Sequence, residues 1–176
     1  IASKKICSVE PTWRDQYFSN LQAYFFKPKL PSSYFSLGGF GTNDENVQMC
    51  LTVVKVNPLF RKKIDKFLPP PRDWEKIWSN TADKAGSFWK AISPGPNFTC
   101  LGNIAKKGYK KPNLPRYRCI HKQFLRKFSA STLIWSDEGA DLEEDEQVTV
   151  LKLENSGSFI AVKGRQDSYD WYDIKE

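Results

Sequence analysis

Three times in 176 residues the chain returns to the same local pattern. A hydrophobic pair followed by lysine occurs as Phe25-Phe26-Lys27, Phe88-Trp89-Lys90 and Val150-Leu151-Lys152, at spacings of 63 and 62 residues. After a turn of Pro, Gly or Ser comes an aromatic and, three residues on, an aliphatic. These are Tyr34 and Leu37, Phe98 and Leu101, Phe159 and Val162, spaced 64 and 61 apart. Cys50 and Cys119 fall at comparable places in the first two copies, which close on Ile77-Trp78-Ser79 and Ile134-Trp135-Ser136. A repeated unit that cannot bury its own inner face has to pack against its copies, so the period governs the fold.

The unit is made of strands. Pro28, Pro31, Pro58, Pro69-Pro70-Pro71, Pro94, Pro96, Pro112 and Pro115 interrupt any long helix. Between them lie runs of four to eight residues rich in β-branched and aromatic types, such as Met49 to Val56, Arg116 to His121 and Val148 to Leu153. Only Trp74 to Trp78 and Phe124 to Phe128 are spaced for helical turns. The fold class is all-β. Sixty residues hold roughly four strands of ~5–6 residues with their loops. The expectation is a single domain over 1–176, β-prism-like, with four-stranded repeats near 12–65, 73–125 and 132–174 related by pseudo-threefold symmetry. Lys27, Lys90 and Lys152 then superpose, as do Tyr34, Phe98 and Phe159. A β-trefoil competes but has shorter units, and a sandwich ignores the repeat.

The second copy carries a family resemblance. Ser87-Phe88-Trp89-Lys90-Ala91-Ile92, Pro94-Gly95-Pro96-Asn97-Phe98-Thr99-Cys100-Leu101-Gly102, Lys107-Gly108-Tyr109 and Pro112 resemble the recurring unit of the vacuolar protein sorting-associated protein 62 and 13 families. The flanking Asp73 to Trp78 and Leu133 to Ala140 are similar to that family's step between units, and the resemblance is best over residues 73–163. The family's Trp-Arg-Pro is replaced by Trp89-Lys90-Ala91, and the glycine expected after Val162 is missing. The resemblance implies a β-prism-like module that docks adaptor proteins or membranes, with no catalysis. Related β-prism modules occur as targeting domains of membrane-attacking toxins.

The charge pattern says where docking is expected. With 27 Lys plus Arg against 20 Asp plus Glu the net charge is +7. Asn103 to Lys127 holds nine basic residues and no acid, interleaved with Tyr109, Tyr117, Phe124 and Phe128. Basic residues gain ~1 kcal/mol each near anionic lipid, and aromatic rings anchor at the interface. Lys106, Lys107, Tyr109, Lys110, Lys111, Arg116, Arg118 and Lys122 are therefore the candidate residues for an anionic phospholipid surface, weighed against a plain solvated face. An adaptor protein is the other partner class. Nucleic acid is disfavoured for want of a recognition motif. Gly164, Asp167, Tyr169 and Asp170 form a candidate glycan loop, which belongs to the alternative reading of a secreted β-prism protein binding glycans or lipid surfaces, cut from a pore-forming protein.

The remaining signals exclude more than they propose. The acidic run Asp137 to Glu146 breaks the calcium-loop pattern at Gly139 and reads as a solvated loop. His121 is the only histidine; two residues from Cys119 it would share a strand face, but no orienting acid lies nearby. No catalytic residue, metal site or cofactor is expected. Gly38-Gly39-Phe40-Gly41 lacks the Lys-Ser/Thr of a phosphate loop and reads as a turn, and Pro69-Pro70-Pro71 as a rigid connector. No apolar run approaches a membrane helix, and Ile1 to Lys5 does not read as an apolar signal stretch. Cysteines 7, 50, 100 and 119 allow two disulfides if the chain is secreted and four free thiols if it is cytosolic; their wide spacing leans to the cytosolic face of membranes.

Overall fold

A computed structural model describes residues 1–15, 19–80, 85–140, 142, 143 and 146–176. The chain is all-β. Three sheets share one plan, each with its central strand carrying the repeated hydrophobic pair. They are β2 (Val9–Asp15), β3 (Ala23–Pro28) and β5 (Phe40–Thr42); β7 (Asp73–Ser79), β8 (Gly86–Ile92) and β10 (Ile104–Lys107); and β13 (Leu133–Ser136), β14 (Val148–Lys152) and β15 (Phe159–Lys163). Three further sheets join β1 (Ala2–Ile6), β6 (Leu51–Lys55) and β4 (Phe35–Ser36); β9 (Phe98–Thr99) and β11 (Ile120–His121); and β12 (Leu125–Ala130) and β16 (Tyr169–Ile174). The named strands pair antiparallel. Among the described residues each sheet has two or three strands, not the expected four. The remaining strands pair instead in the three further sheets, some of them, such as β9, only two residues long.

The helical elements described are short turns at Pro58–Lys63, Ile64–Phe67 (α1) and Lys122–Phe124. The two segments expected to suit helical turns are largely strand. Trp74 to Trp78 lies in β7, and Phe124 to Phe128 runs from a turn into β12. Both pair in antiparallel ladders, β7 with β8 and β12 with β16.

Each of the three similar sheets has a bulge at the same place. The register shifts between Pro11 and Trp13, between Lys76 and Trp78, and between Leu133 and Trp135. An extra residue re-aims the side chain that follows it. Here it sends Trp13, Trp78 and Trp135 into one core, where they oppose Phe25, Phe88 and Val150. The three indoles lie 6.1, 6.2 and 5.4 Å apart. Against them Phe25, Phe88 and Phe159 form a second triangle at 5.1, 5.1 and 6.1 Å. Tilted and edge-on pairs at these distances each add about 0.5–1.5 kcal/mol beyond burial.

Where the sheets converge, backbone meets backbone. Gly39 N donates to Asn103 O and Asn103 N to Phe159 O, each at 2.9 Å, while Gly102 N donates to Leu37 O at 2.8 Å. A Cβ on Gly102 would lie 2.0 Å from Ser158 Oγ and 2.9 Å from Leu37 O, so only glycine admits this approach. Gly38 to Gly41 is therefore partly strand and junction rather than a free turn.

The registers sort the two expected triples. Lys27, Lys90 and Lys152 each follow by two residues the position opposite a bulge tryptophan. Tyr34, Phe98 and Phe159 do not correspond. Gly41, Ala105 and Ala161 oppose Phe25, Phe88 and Val150; Tyr34 and Phe98 lie seven residues before them, but Phe159 only two. Phe159 is a core ring that shares its register with Gly39 and Asn103.

The lean to free thiols is also corrected. Cys7 bonds Cys50, and Cys100 bonds Cys119. Strand register accounts for both. Ile6 faces Leu51, which brings Cys7 beside Cys50, and Thr99 faces Ile120, which brings Cys100 beside Cys119. With Cys119 bridged, the Cys119–His121 pair has no thiol, and His121 Nδ1 accepts from Gln123 N at 3.2 Å.

Candidate functional site

The basic stretch is divided between a turn and the segment that follows it. Lys106 and Lys107 end β10, and the chain turns at Gly108, whose φ of +78° is the left-handed conformation glycine takes most easily. The turn is held from several sides. Gly108 N donates to Ala85 O at 2.8 Å, Ser87 Oγ donates to Gly108 O at 2.6 Å, and the Tyr109 hydroxyl donates to Asn80 O. Lys106 Nζ reaches Lys110 O at 2.7 Å, and Lys111 pairs with Asp73 at 2.8 Å. That ammonium, with the backbone N–H of Trp74, holds the exposed Asp73 carboxyl below its usual value. Tyr109 is left half-exposed, with Lys76 Nζ 5.9 Å from its ring. Lys106, Lys107, Tyr109, Lys110 and Lys111 thus share one ordered turn.

Arg116, Arg118 and Lys122 lie outside this turn, although Arg116 lines the same groove as Lys106. The Arg116 guanidinium donates to the carbonyls of Leu30, Pro31 and Tyr34, tying two loops together. Arg118 lies over the Phe35 ring at 4.8 Å. Lys122 lies over Tyr172 at 5.6 Å, beside a different turn. Of the interleaved aromatics, Tyr117 is buried, its hydroxyl donating to Gly102 O, and Phe124 and Phe128 pack on the core.

A groove of about 730 Å³ adjoins the lysine turn, walled by Phe26, Pro31, Leu114 and Tyr117 with Lys29 and Lys106 on its lining. A second hollow of about 550 Å³ is more polar and is bounded by Asn43, Gln48, Glu154 and Asn155 near Cys50. The candidate glycan residues lie elsewhere. Gly164 accepts from Thr149 Oγ1, and Tyr169 and Asp170 begin β16, with the Tyr169 ring 6.3 Å from Trp171.

The acidic run is not uniformly solvated. Asp137 is fully buried and accepts from Trp78 Nε1, Val148 N and Arg165. Asp141, Glu144 and Asp145 lie outside the described residues. Among the described residues no group of His, Cys, Asp and Glu is arranged to hold a metal ion. Asp15 accepts from Trp135 Nε1 at 3.2 Å. In both cases the carboxylate stands two residues after one bulge tryptophan and holds the indole of another. The signal was present in the sequence as Trp13-Arg14-Asp15 and Trp135-Ser136-Asp137, with Asn80 in the matching place after Trp78.

Residues 1–170 match the vacuolar protein sorting-associated protein 62 family. The chain belongs to that family. The match extends through residues 1–72, beyond the part where the resemblance is best to the eye. No curated protein matches the chain. Among solved structures, the crystal structure of GNIP1Aa from Chromobacterium piscinae is similar, with a TM-score of 0.76 at 20% identity over 93% of this chain. The chain spans 33% of that structure, so the likeness is one of fold within a longer protein.

Proposed function

We propose that this family member is a non-catalytic targeting module that settles on anionic membrane surfaces, and that its fold is β-prism-like, three similar sheets around a common aromatic core. The turn at Gly108 carries the functional reading. Four lysines surround one half-exposed tyrosine on a backbone already ordered, so the charges meet anionic headgroups without first paying to fix the loop. Exposed charges are screened beyond ~10 Å at 0.1 M salt, so attachment weakens as salt rises. The test is co-sedimentation with vesicles of phosphatidylcholine alone or mixed with phosphatidylserine, at low and high salt. Wild type is expected to pellet with the anionic vesicles at low salt. The variant with Lys106, Lys107, Lys110 and Lys111 changed to Glu is expected to stay in solution. Equal behaviour of the two proteins would refute the turn as the contact and favour an adaptor protein as partner.

A second reading has its own support. Two disulfides suit an oxidising compartment, and the polar hollow by Asn43, Gln48, Glu154 and Asn155 offers amide and carboxylate groups to sugar hydroxyls. A secreted glycan-binding module, part of a longer pore-forming protein, would show saturable binding of soluble oligosaccharides that salt leaves unchanged.

A further inference from the structure

The segment between β6 and β7 carries a second feature of the surface. Leu59 is 87% exposed and its neighbour Phe60 49% exposed. Their setting is firm. Asn57 Oδ1 accepts from Leu59 N at 3.0 Å, Asn57 O accepts from Phe60 N at 2.8 Å, and Pro58 fixes the first turn position. On the other side Ile64 and Phe67 pack into the core, Leu68 is fully buried, and Phe67 meets Phe124 at 6.0 Å between ring centres. The same short segment therefore sends three apolar side chains inward and holds two outward on a turn anchored at both ends. The residues that follow the outward pair in sequence include Arg61, Lys62, Lys63 and Lys66, all exposed, against the single acid Asp65.

We infer that Leu59 and Phe60 enter the acyl boundary of an anionic bilayer while Arg61, Lys62, Lys63 and Lys66 rest on its headgroups. The inference rests on the reading of the chain as a membrane-binding module, but it uses a different part of the surface. An exposed apolar pair followed by four exposed cations fits an anionic bilayer better than a protein. A protein partner must supply a matching pocket, whereas lipid closes around any shape and supplies the negative charge. The pair also differs in kind from the lysine turn at Gly108, which offers charge with one ring and no aliphatic group.

Both disulfides leave no native thiol free among the four cysteines, so Leu59→Cys creates one site for an environment-sensitive dye. With phosphatidylcholine–phosphatidylserine vesicles the dye is expected to brighten, shift to the blue and be quenched by bromine on the acyl chains. Phosphatidylcholine alone is expected to produce little change. The double variant Leu59→Ser, Phe60→Ser should partition about tenfold less onto anionic vesicles, since removed apolar contact acts directly on the transfer free energy. It should keep its thermal midpoint, because neither side chain is packed in the core. A dye that stays unchanged while the protein co-sediments overturns this inference and leaves the lysine turn standing. Loss of binding in the Lys106–Lys111 reversal alone, with the double serine variant binding like wild type, does the same. A shift on raising protein concentration without lipid overturns it in favour of self-association, and absence of any co-sedimentation ends both proposals.

Discussion

Tyr117 brings a hydroxyl into the interior and has one acceptor for it, the carbonyl of Gly102 at 2.8 Å. Burial disfavours the phenolate and pushes its ionisation far above the ordinary value near 10. The sign of the consequence follows. Above about pH 10 the unfolded chain releases this proton while the native protein still holds it, so stability is full below that pH and falls above it, by up to about 1.4 kcal/mol per unit. Tyr117→Phe is expected to cost about 1 kcal/mol at neutral pH through the lost hydrogen bond. It should also flatten the decline in urea-unfolding free energy above about pH 10. An unchanged alkaline slope would mean that another group governs it. The same single-residue logic holds the indoles: Asp15 and Asp137 are buried carboxylates whose partners include Trp135, Trp78, Val148 N and Arg165.

At the scale of elements, strand register determines both the aromatic core and the disulfides. Cys7 is exposed and Cys50 half-buried beyond the β1–β6 ladder, whereas Cys100 and Cys119 are 4% and 0% exposed beside β9 and β11. Their loops close over sequence separations of 43 and 19 residues. Chain-entropy arguments make such bridges worth up to about 4 and about 3 kcal/mol. Mild reduction is expected to open Cys7–Cys50 first, lowering the thermal midpoint. Cys100–Cys119 should resist until the protein unfolds. Alkylation followed by peptide mass spectrometry reads the order directly, and simultaneous labelling of all four thiols would contradict it.

For the whole molecule, the decisive fact is that one core draws on all three similar sheets. Trp13 and Phe25, Trp78 and Phe88, and Trp135, Val150 and Phe159 share one cluster. A fragment ending at residue 130 lacks the last group. It exposes the faces of the indoles at 13 and 78 and leaves the first two sheets without their third neighbour. It is expected to show neither a cooperative thermal transition nor a dispersed amide spectrum, and to regain both when mixed with a 131–176 peptide. Independent folding of the fragment would show that two sheets suffice.

Much of this was legible in the amino-acid order. The prolines and short β-branched runs determined an all-β chain, and the recurring Phe-Phe-Lys, Phe-Trp-Lys and Val-Leu-Lys marked the three central strands, because a buried strand must carry apolar residues wherever it lies. The family was readable from the second copy for the same reason. The lysine turn was visible too, since Gly108 and a local run of charge are matters of neighbouring residues. Other features required long-range pairing. That Phe159 is a core ring, that Cys7 meets Cys50, that Arg116 clasps carbonyls of a distant loop, and that Asp137 is buried all depend on which strands lie side by side. Register is decided by bulges and by the close approach of Gly102 to Ser158, contacts between residues far apart in sequence, and no local pattern carries that information. Leu59 and Phe60 make the point in reverse. Their sequence reads like any apolar pair, and only the anchoring of Ile64, Phe67 and Leu68 beside them left those two in water.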